Sequence, residues 1–165
     1  MQLTIRPMTR AAALAIMRWR YPEPYAVYNF VDGAMIAAFL AAQQRKCCFQ
    51  IEDALGNLVA FCCFGSEAQI PGGDYHAPAL DVGLGLHPDL TGQGQGMFYL
   101  QAIIAFTRTR FGPQLLRLTV AVWNKRAMRL YTKAGFVVSQ RFCTMFSGEE
   151  FLVMTLEDQG EPGSP

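Results

Sequence analysis

Apolar and polar positions along the chain change their spacing many times within short distances, and each change predicts an element. Leu3 to Arg6 reads as a first strand, Arg10 to Arg20 as a helix, and the alanine-rich stretch Gly33 to Gln43 as a second helix. Lys46 to Ile51 and Leu58 to Gly65 form a hairpin about the turn Asp53 to Asn57, and a loop rich in glycine and proline follows near Gln69 to Pro78. Strand Leu80 to Leu86, helix Gln95 to Arg110, strand Leu115 to Val122 and helix Asn124 to Ala134 come next. Two last strands, Val137 to Phe146 and Glu149 to Leu156, pair across Ser147-Gly148. Strands and helices mixed in this order, with a hairpin early and another late, predict an α+β fold with a sheet of mixed direction. Residues 1–157 read as one domain, and 158–165 as a polar tail without core residues, expected to be disordered.

The strongest local pattern is Val82-Gly83-Leu84-Gly85-Leu86-His87-Pro88-Asp89-Leu90-Thr91-Gly92-Gln93-Gly94-Gln95-Gly96. A buried strand empties into three alternating glycines and then a helix. Glycine at every second position leaves no Cβ to block a close ligand, and backbone amides there can point outward at an anion. The start of the following helix adds its unpaired amides and positive dipole end. The pattern is a phosphate cradle. It is not a Walker loop, because Gly96-Met97-Phe98 lacks the lysine and the hydroxyl. Nor does it have the G-x-G-x-x-G spacing of a dinucleotide site or an acidic residue after the next strand, which ends at Val122-Trp123.

A second pattern lies downstream, in Asn124-Lys125-Arg126-Ala127-Met128-Arg129-Leu130-Tyr131-Thr132-Lys133-Ala134-Gly135-Phe136. Asn124 has the side chain of a helix N-cap, Gly135 is a C-terminal stop, and Ala127, Leu130 and Ala134 keep helical spacing. Asn124 and Tyr131 are about two turns apart, so an amide and a phenol share one surface.

The glycine turn followed by N-x-x-A-x-x-L-Y-x-K-x-G-F resembles the GNAT superfamily of acetyl-CoA-dependent N-acetyltransferases, over Asp81 to Phe136. The resemblance implies a mixed, mostly antiparallel sheet of about six to seven strands with about four flanking helices. Its central strands splay apart, and the acyl arm of the cofactor lies in the gap. It implies acetyl transfer to a primary amine, on a small molecule or a peptide N-terminus, by direct attack in a ternary complex. Carried over residue by residue, Thr91, Gly92, Gln93, Gly94, Gln95, Gly96 and Met97 would hold the phosphates of coenzyme A. The backbone of Leu84, Gly85 and Leu86 would pair with the pantetheine arm as an added strand. Asn124 would bond the pantetheine or acetyl region, and Arg129, with Lys125 and Arg126 beside it, lies near the presumed adenosine end. Tyr131 would protonate the departing thiolate, a phenol being matched to a thiol in proton affinity.

Two positions depart from the family pattern. Thr91 stands where the family usually has Arg or Gln. Thr119 stands where many relatives carry a glutamate, five residues before the asparagine, that takes the amine proton through water. Asp81 is the nearest carboxylate and the candidate base, although alternation sets it on the strand face opposite Leu84 and Leu86. His76 and His87 are the other groups of useful proton affinity, and ordered water is a further option.

Acceptor choice is expected in Trp19 to Phe30, where two prolines stiffen a segment crowded with aromatics; Tyr21, Glu23, Tyr25 and Tyr28 are its candidate substrate residues. Gly83 and Gly85 leave room for a longer acyl chain beside the strand. The reading from another class is a non-catalytic module that holds coenzyme A for sensing or assembly.

Composition narrows the rest. A chain of 165 residues that is 52% hydrophobic is one domain's length with a sizeable core. Its net charge of +1, with Lys and Arg scattered, argues against a nucleic-acid surface. No apolar stretch reaches the ~18 residues of a membrane span, and the N-terminus has no signal-peptide pattern. A hairpin centred near Leu55 sets Cys47 opposite Cys63 and Cys48 opposite Cys62. Adjacent strand residues face opposite ways, so these four thiols do not converge on a metal, and none is expected. With Cys143 the count is five, read as reduced, mostly buried thiols in a cytoplasmic protein, monomeric or homodimeric.

Overall fold

The computed structural model describes residues 2–112, 114–145 and 147–157, so the predicted tail at 158–165 and the strand end at Phe146 lie outside the described residues. Among the described residues the strands are β1 (Thr4–Pro7), β2 (Cys48–Glu52), β3 (Leu58–Phe64), β4 (Leu80–Leu86), β5 (Leu116–Ala121), β6 (Val137–Cys143) and β7 (Glu150–Leu156). The helices are α1 (Arg10–Ile16), α2 (Gly33–Gln44), α3 (Gly96–Phe111) and α4 (Lys125–Lys133). The strand order is β1-β2-β3-β4-β5-β7-β6. The β4–β5 pair is parallel; β1–β2, β2–β3, β5–β7 and β6–β7 are antiparallel. This is the mixed, mostly antiparallel α+β sheet that the order of elements predicts.

The chain divides into two compact units, Met1–Cys63 with Leu84–Gly96, and Phe64–Gly83 with Met97–Pro165. In the first, Thr9 caps α1 by accepting from the Ala12 amide at 3.1 Å, and Asp32 caps α2 by accepting from Met35 at 2.8 Å. Ala12, Ala13 and Ile16 of α1 and Phe39 and Ala42 of α2 bury one stripe each against the β2–β3 hairpin. Predicted to reach Arg20, α1 stops at Ile16. The amides of Arg18 and Trp19 bond back to Ala15 and Ile16, and the Arg20 guanidinium donates to the carbonyls of Met17 and Trp19 at 3.0 and 2.7 Å. The last turn tightens and its orphan carbonyls are satisfied, so the chain can leave the helix.

The hairpin corrects the cysteine register. Next to the turn Glu52 pairs with Leu58, as a hairpin centred on Leu55 requires, but an irregularity between Ile51 and Glu52 shifts every later pair by one. Cys48 therefore faces Cys63, and Phe49 faces Cys62. With their Cα atoms 4.1 Å apart, Cys48 and Cys63 form a disulfide, against the expectation of five reduced thiols. Cys47, Cys62 and Cys143 are free, and among the described residues no cluster suits a metal.

In the second unit, β5 buries Leu116, Leu118 and Val120 on one face and turns Arg117 and Thr119 to the other. The β4–β5 ladder pairs Leu80 with Leu116 and Asp81 with Arg117. Along its other edge β5 pairs with β7 over its whole length, from Leu116 to Ala121. Tyr99, Leu100, Ile103 and Thr107 form the buried stripe of α3. At the end of α4 the Phe136 amide bonds the Tyr131 carbonyl and the Gly135 amide that of Thr132, with Gly135 at φ +99°. This left-handed glycine cap is the stop that the sequence predicts. Leu156 Cδ1 lies 3.3 Å from where a Cβ on Gly135 would stand, and Leu156 pairs with Leu116. Helix α4 thus returns along β5 on the Leu116 face, from Asn124 to the start of the strand.

Candidate functional site

In the first unit the glycine turn has the predicted shape. A short 3-10 turn at Pro88–Leu90 follows β4, Thr91 Oγ1 donates to the Pro88 carbonyl at 2.8 Å, and Gln93 Nε2 donates to that of Asp89. Gly92 and Gly94 both hold φ +76°, where an L side chain is strained, and space is open around Gly94. The turn leads into α3 at Gly96, where the first amides of a helix have no intrahelical acceptor and can meet an anion. His87 is folded back, its Nδ1 accepting from the Asp89 amide at 3.2 Å and its ring 5.0 Å from Trp19.

The end of β4 is less open than glycines suggest. A Cβ on Gly85 would meet Phe61 Cε1 at 2.4 Å, so that face is filled by a ring rather than left as room for a longer acyl chain. The Leu86 carbonyl already accepts from the Tyr21 hydroxyl at 2.7 Å. The aromatic segment is therefore latched to the strand end. Asn29, itself buried, holds the segment closed by accepting from the Tyr21 amide and donating to the Tyr21 carbonyl, across a cis Glu23–Pro24 bond. Glu23 and Tyr28 are exposed and Tyr25 half-buried.

In the second unit Asn124 is buried and accepts from the Ala127 amide at 3.1 Å, the cap that its position predicts. Tyr131 is half-buried, its ring edge-on to Phe136 at 6.0 Å. Lys125, Arg126 and Arg129 are exposed on the same helix. Asp81 is engaged otherwise than a base requires. Its carboxylate, buried, accepts from Arg117 Nε at 2.6 Å, Arg117 Nη2 at 2.8 Å and Gln69 Nε2 at 2.8 Å. Those bonds to Asp81 hold the Arg117 guanidinium above its ordinary pKa. His76 is almost fully exposed and bonds only Asp74, at 2.8 Å.

A strap over the Arg117 face, residues 65–79, carries groups that sequence reasoning missed. Arg117 donates to the carbonyls of Ala77 and Tyr75 at 2.9 and 3.2 Å, and its Cζ lies 5.1 Å from the centre of the Tyr75 ring. The Tyr75 hydroxyl accepts from the Ile70 amide at 3.0 Å and shares a 2.9 Å hydrogen bond with Thr119 Oγ1. The one visible sign was Arg117 itself, the single charge in that strand, which a buried position obliges to find partners.

The model of the Acetyltransferase (GNAT) family matches residues 12–136. The chain belongs to this family. As a GNAT acetyltransferase it transfers the acetyl group of acetyl-CoA to an amine nitrogen, which favours the enzyme over a binding module. No curated protein matches the chain. Among solved structures it is similar to a chimera of the Vibrio cholerae spermidine N-acetyltransferase SpeG and hSSAT, with 20% identity over 95% of this chain and 96% of that one and a TM-score of 0.71. The Vibrio cholerae spermidine N-acetyltransferase in complex with CoA and spermine gives 19% identity, 94% and 95% coverage and a TM-score of 0.71. A dodecameric form of that enzyme, in an intermediate state, gives 20%, 94% of each chain and 0.64. These likenesses establish that the GNAT protein has its family's fold. No helix among the described residues is long and apolar enough to cross a membrane.

Proposed function

We propose that the acceptor is a primary amine on a small molecule or a peptide N-terminus, polyamines being the first class to try because similar folds are spermidine acetyltransferases. The observation that carries the reading is α4. Its cap is Asn124, and two turns later Tyr131 stands half-buried on the helix that returns along β5. In this reading Tyr131 protonates the leaving thiolate and Asn124 bonds the pantetheine amide side. The amides from Gly92 to Met97 hold the pyrophosphate, Thr91 shaping the loop because its own amide and hydroxyl both donate to the Pro88 carbonyl, and Arg129 pairs with a phosphate at the adenosine end. Backbone groups of Leu84 and Gly85 pair with the arm, while Leu86 offers its carbonyl only if the Tyr21 hydroxyl lets go. Tyr21, Glu23, Tyr25 and Tyr28 bound the acceptor side. Asp81 holds Arg117 and the strap in place of acting as the base.

Residues 1–157 act as one transferase domain, since the family match runs through both compact units. It works in the cytoplasm as a monomer or homodimer, the second point being one for light scattering on the purified protein. The deciding assay measures thiol released from acetyl-CoA with spermidine, amino acids, aminoglycosides and N-terminal peptides. Release with one amine class is the expected result; bound cofactor with no release on any amine would sink the reading.

A further inference from the structure

An amine that attacks a thioester must shed a proton, and Asp81, the one buried carboxylate among the described residues, is tied to Arg117. Helix α4 and Tyr131 lie on the Leu116 face of β5, whereas the strap crosses the opposite face, where Arg117 and Thr119 point. In the reading above the thiol would lie on the Tyr131 side of β5, leaving the Thr119 face to the acceptor amine. There Thr119 sits two residues beyond the Asp81–Arg117 pair of the β4–β5 ladder. Its only hydroxyl neighbour among the described residues is Tyr75, and both are half-buried, within reach of substrate and of water.

We propose that the paired hydroxyls of Tyr75 and Thr119 relay the proton of the acceptor amine to solvent. The Ile70 amide occupies one lone pair of the Tyr75 oxygen. Whichever hydroxyl donates across the 2.9 Å bond, the pair keeps one O–H and two acceptor positions for outside partners. The arrangement therefore passes protons without net change. The amine's proton goes to one oxygen, that oxygen's own proton to the other, and the second oxygen's proton to water. The neutral nitrogen then forms the C–N bond, the C–S bond breaks with its electron pair on sulfur, Tyr131 protonates the sulfur, and the surplus one of the two protons left on nitrogen regenerates Tyr131, the other staying in the amide. The relay rests on the acetyl-transfer reading above and deepens it.

The charged groups around the pair are Arg117 with Asp81 beneath the Tyr75 ring, and Asp74 with His76 on the strap. All of them are retained in Tyr75→Phe, which also keeps the ring against Arg117, and in Thr119→Val. The experiment compares kcat/KM for wild type, Tyr75→Phe, Thr119→Val and Thr119→Ser, from about pH 7 to pH 9.5, with the amine that wild type acetylates best. We expect both hydroxyl deletions to lower kcat/KM by about 10- to 100-fold at pH 7. The deficit should narrow as the pH nears the amine's own pKa of about 10, where it arrives neutral. Thr119→Ser should restore most of the rate. Wild-type rates in both deletions, or a deficit constant across the pH range, would overturn the relay while leaving acetyl transfer intact. A wild-type protein silent on every amine would overturn both.

Discussion

The carboxylate of Asp81 and the guanidinium of Arg117 meet through two parallel hydrogen bonds, at 2.6 and 2.8 Å, with both side chains about 5% exposed. They are partners in the parallel ladder, and Arg117 goes on to hold the strap by two carbonyls. Removing one member of such a pair leaves the other charge buried and unmatched, at a cost of about 3–5 kcal/mol. Asp81→Asn should lower the stability to urea by roughly that amount, and Asp81→Asn with Arg117→Met should recover part of it. Unchanged stability in the single variant would mean that the pair is dispensable.

Tyr131→Phe keeps the edge-on contact with Phe136, so its fold should be intact. If the phenol protonates the thiolate, kcat should fall by about 100-fold or more, while coenzyme A affinity by calorimetry changes little. A kcat within twofold of wild type would remove Tyr131 from the chemistry.

Two glycines should answer differently to the same change. Gly85→Ala drives a methyl into Phe61, which packs between Trp19 and Phe39, and should cost about 1–3 kcal/mol of stability. Gly94→Ala meets no neighbouring atom and only the backbone cost of a positive φ, about 1–2 kcal/mol. Its larger effect should be on coenzyme A binding. Thermal melts and calorimetry on both variants separate the two outcomes.

The thiols should count as three in the denatured, unreduced chain and five after reduction. In the folded protein Cys62 should escape alkylation at pH 8, because burial pushes its pKa up to about 12. A thiol whose ordinary value of 9.0 is pushed up to about 12 by burial favours the fold fully below pH 9. That contribution fades as the unfolded chain ionises between the two values, so stability falls with rising pH there. Mass spectrometry after alkylation, and unfolding at pH 8 and pH 11, check both statements.

Strand β4 was legible to the residue because its apolar run is bounded by turn residues on both sides, and α4 because both of its caps are written in side chains, Asn124 and Gly135. The strap was not, since a loop of glycine and proline has no period, and what folds it is long-range bonding from Arg117, Asp81, Thr119 and Gln140. The end of α1 was missed for the same reason: apolar spacing continues to Trp19, while the stop is made by the Arg20 side chain on two carbonyls. Candidate cofactor groups were readable because glycines and a capped helix act locally; the partners of Tyr75 were not, because they come together only in the folded sheet.

The extra residue in β3, Val59, reaches further than its own kink. With the ladder kept in the register that Glu52 and Leu58 set, Cys47 would stand against Cys63 and Cys48 against Cys62. One residue of slippage between Ile51 and Glu52 instead joins Cys48 to Cys63 and leaves Cys47 and Cys62 as thiols. Which sulfurs of this protein are oxidised is thus decided by counting around a turn, so a single insertion or deletion there would rewire its covalent chemistry without altering one cysteine.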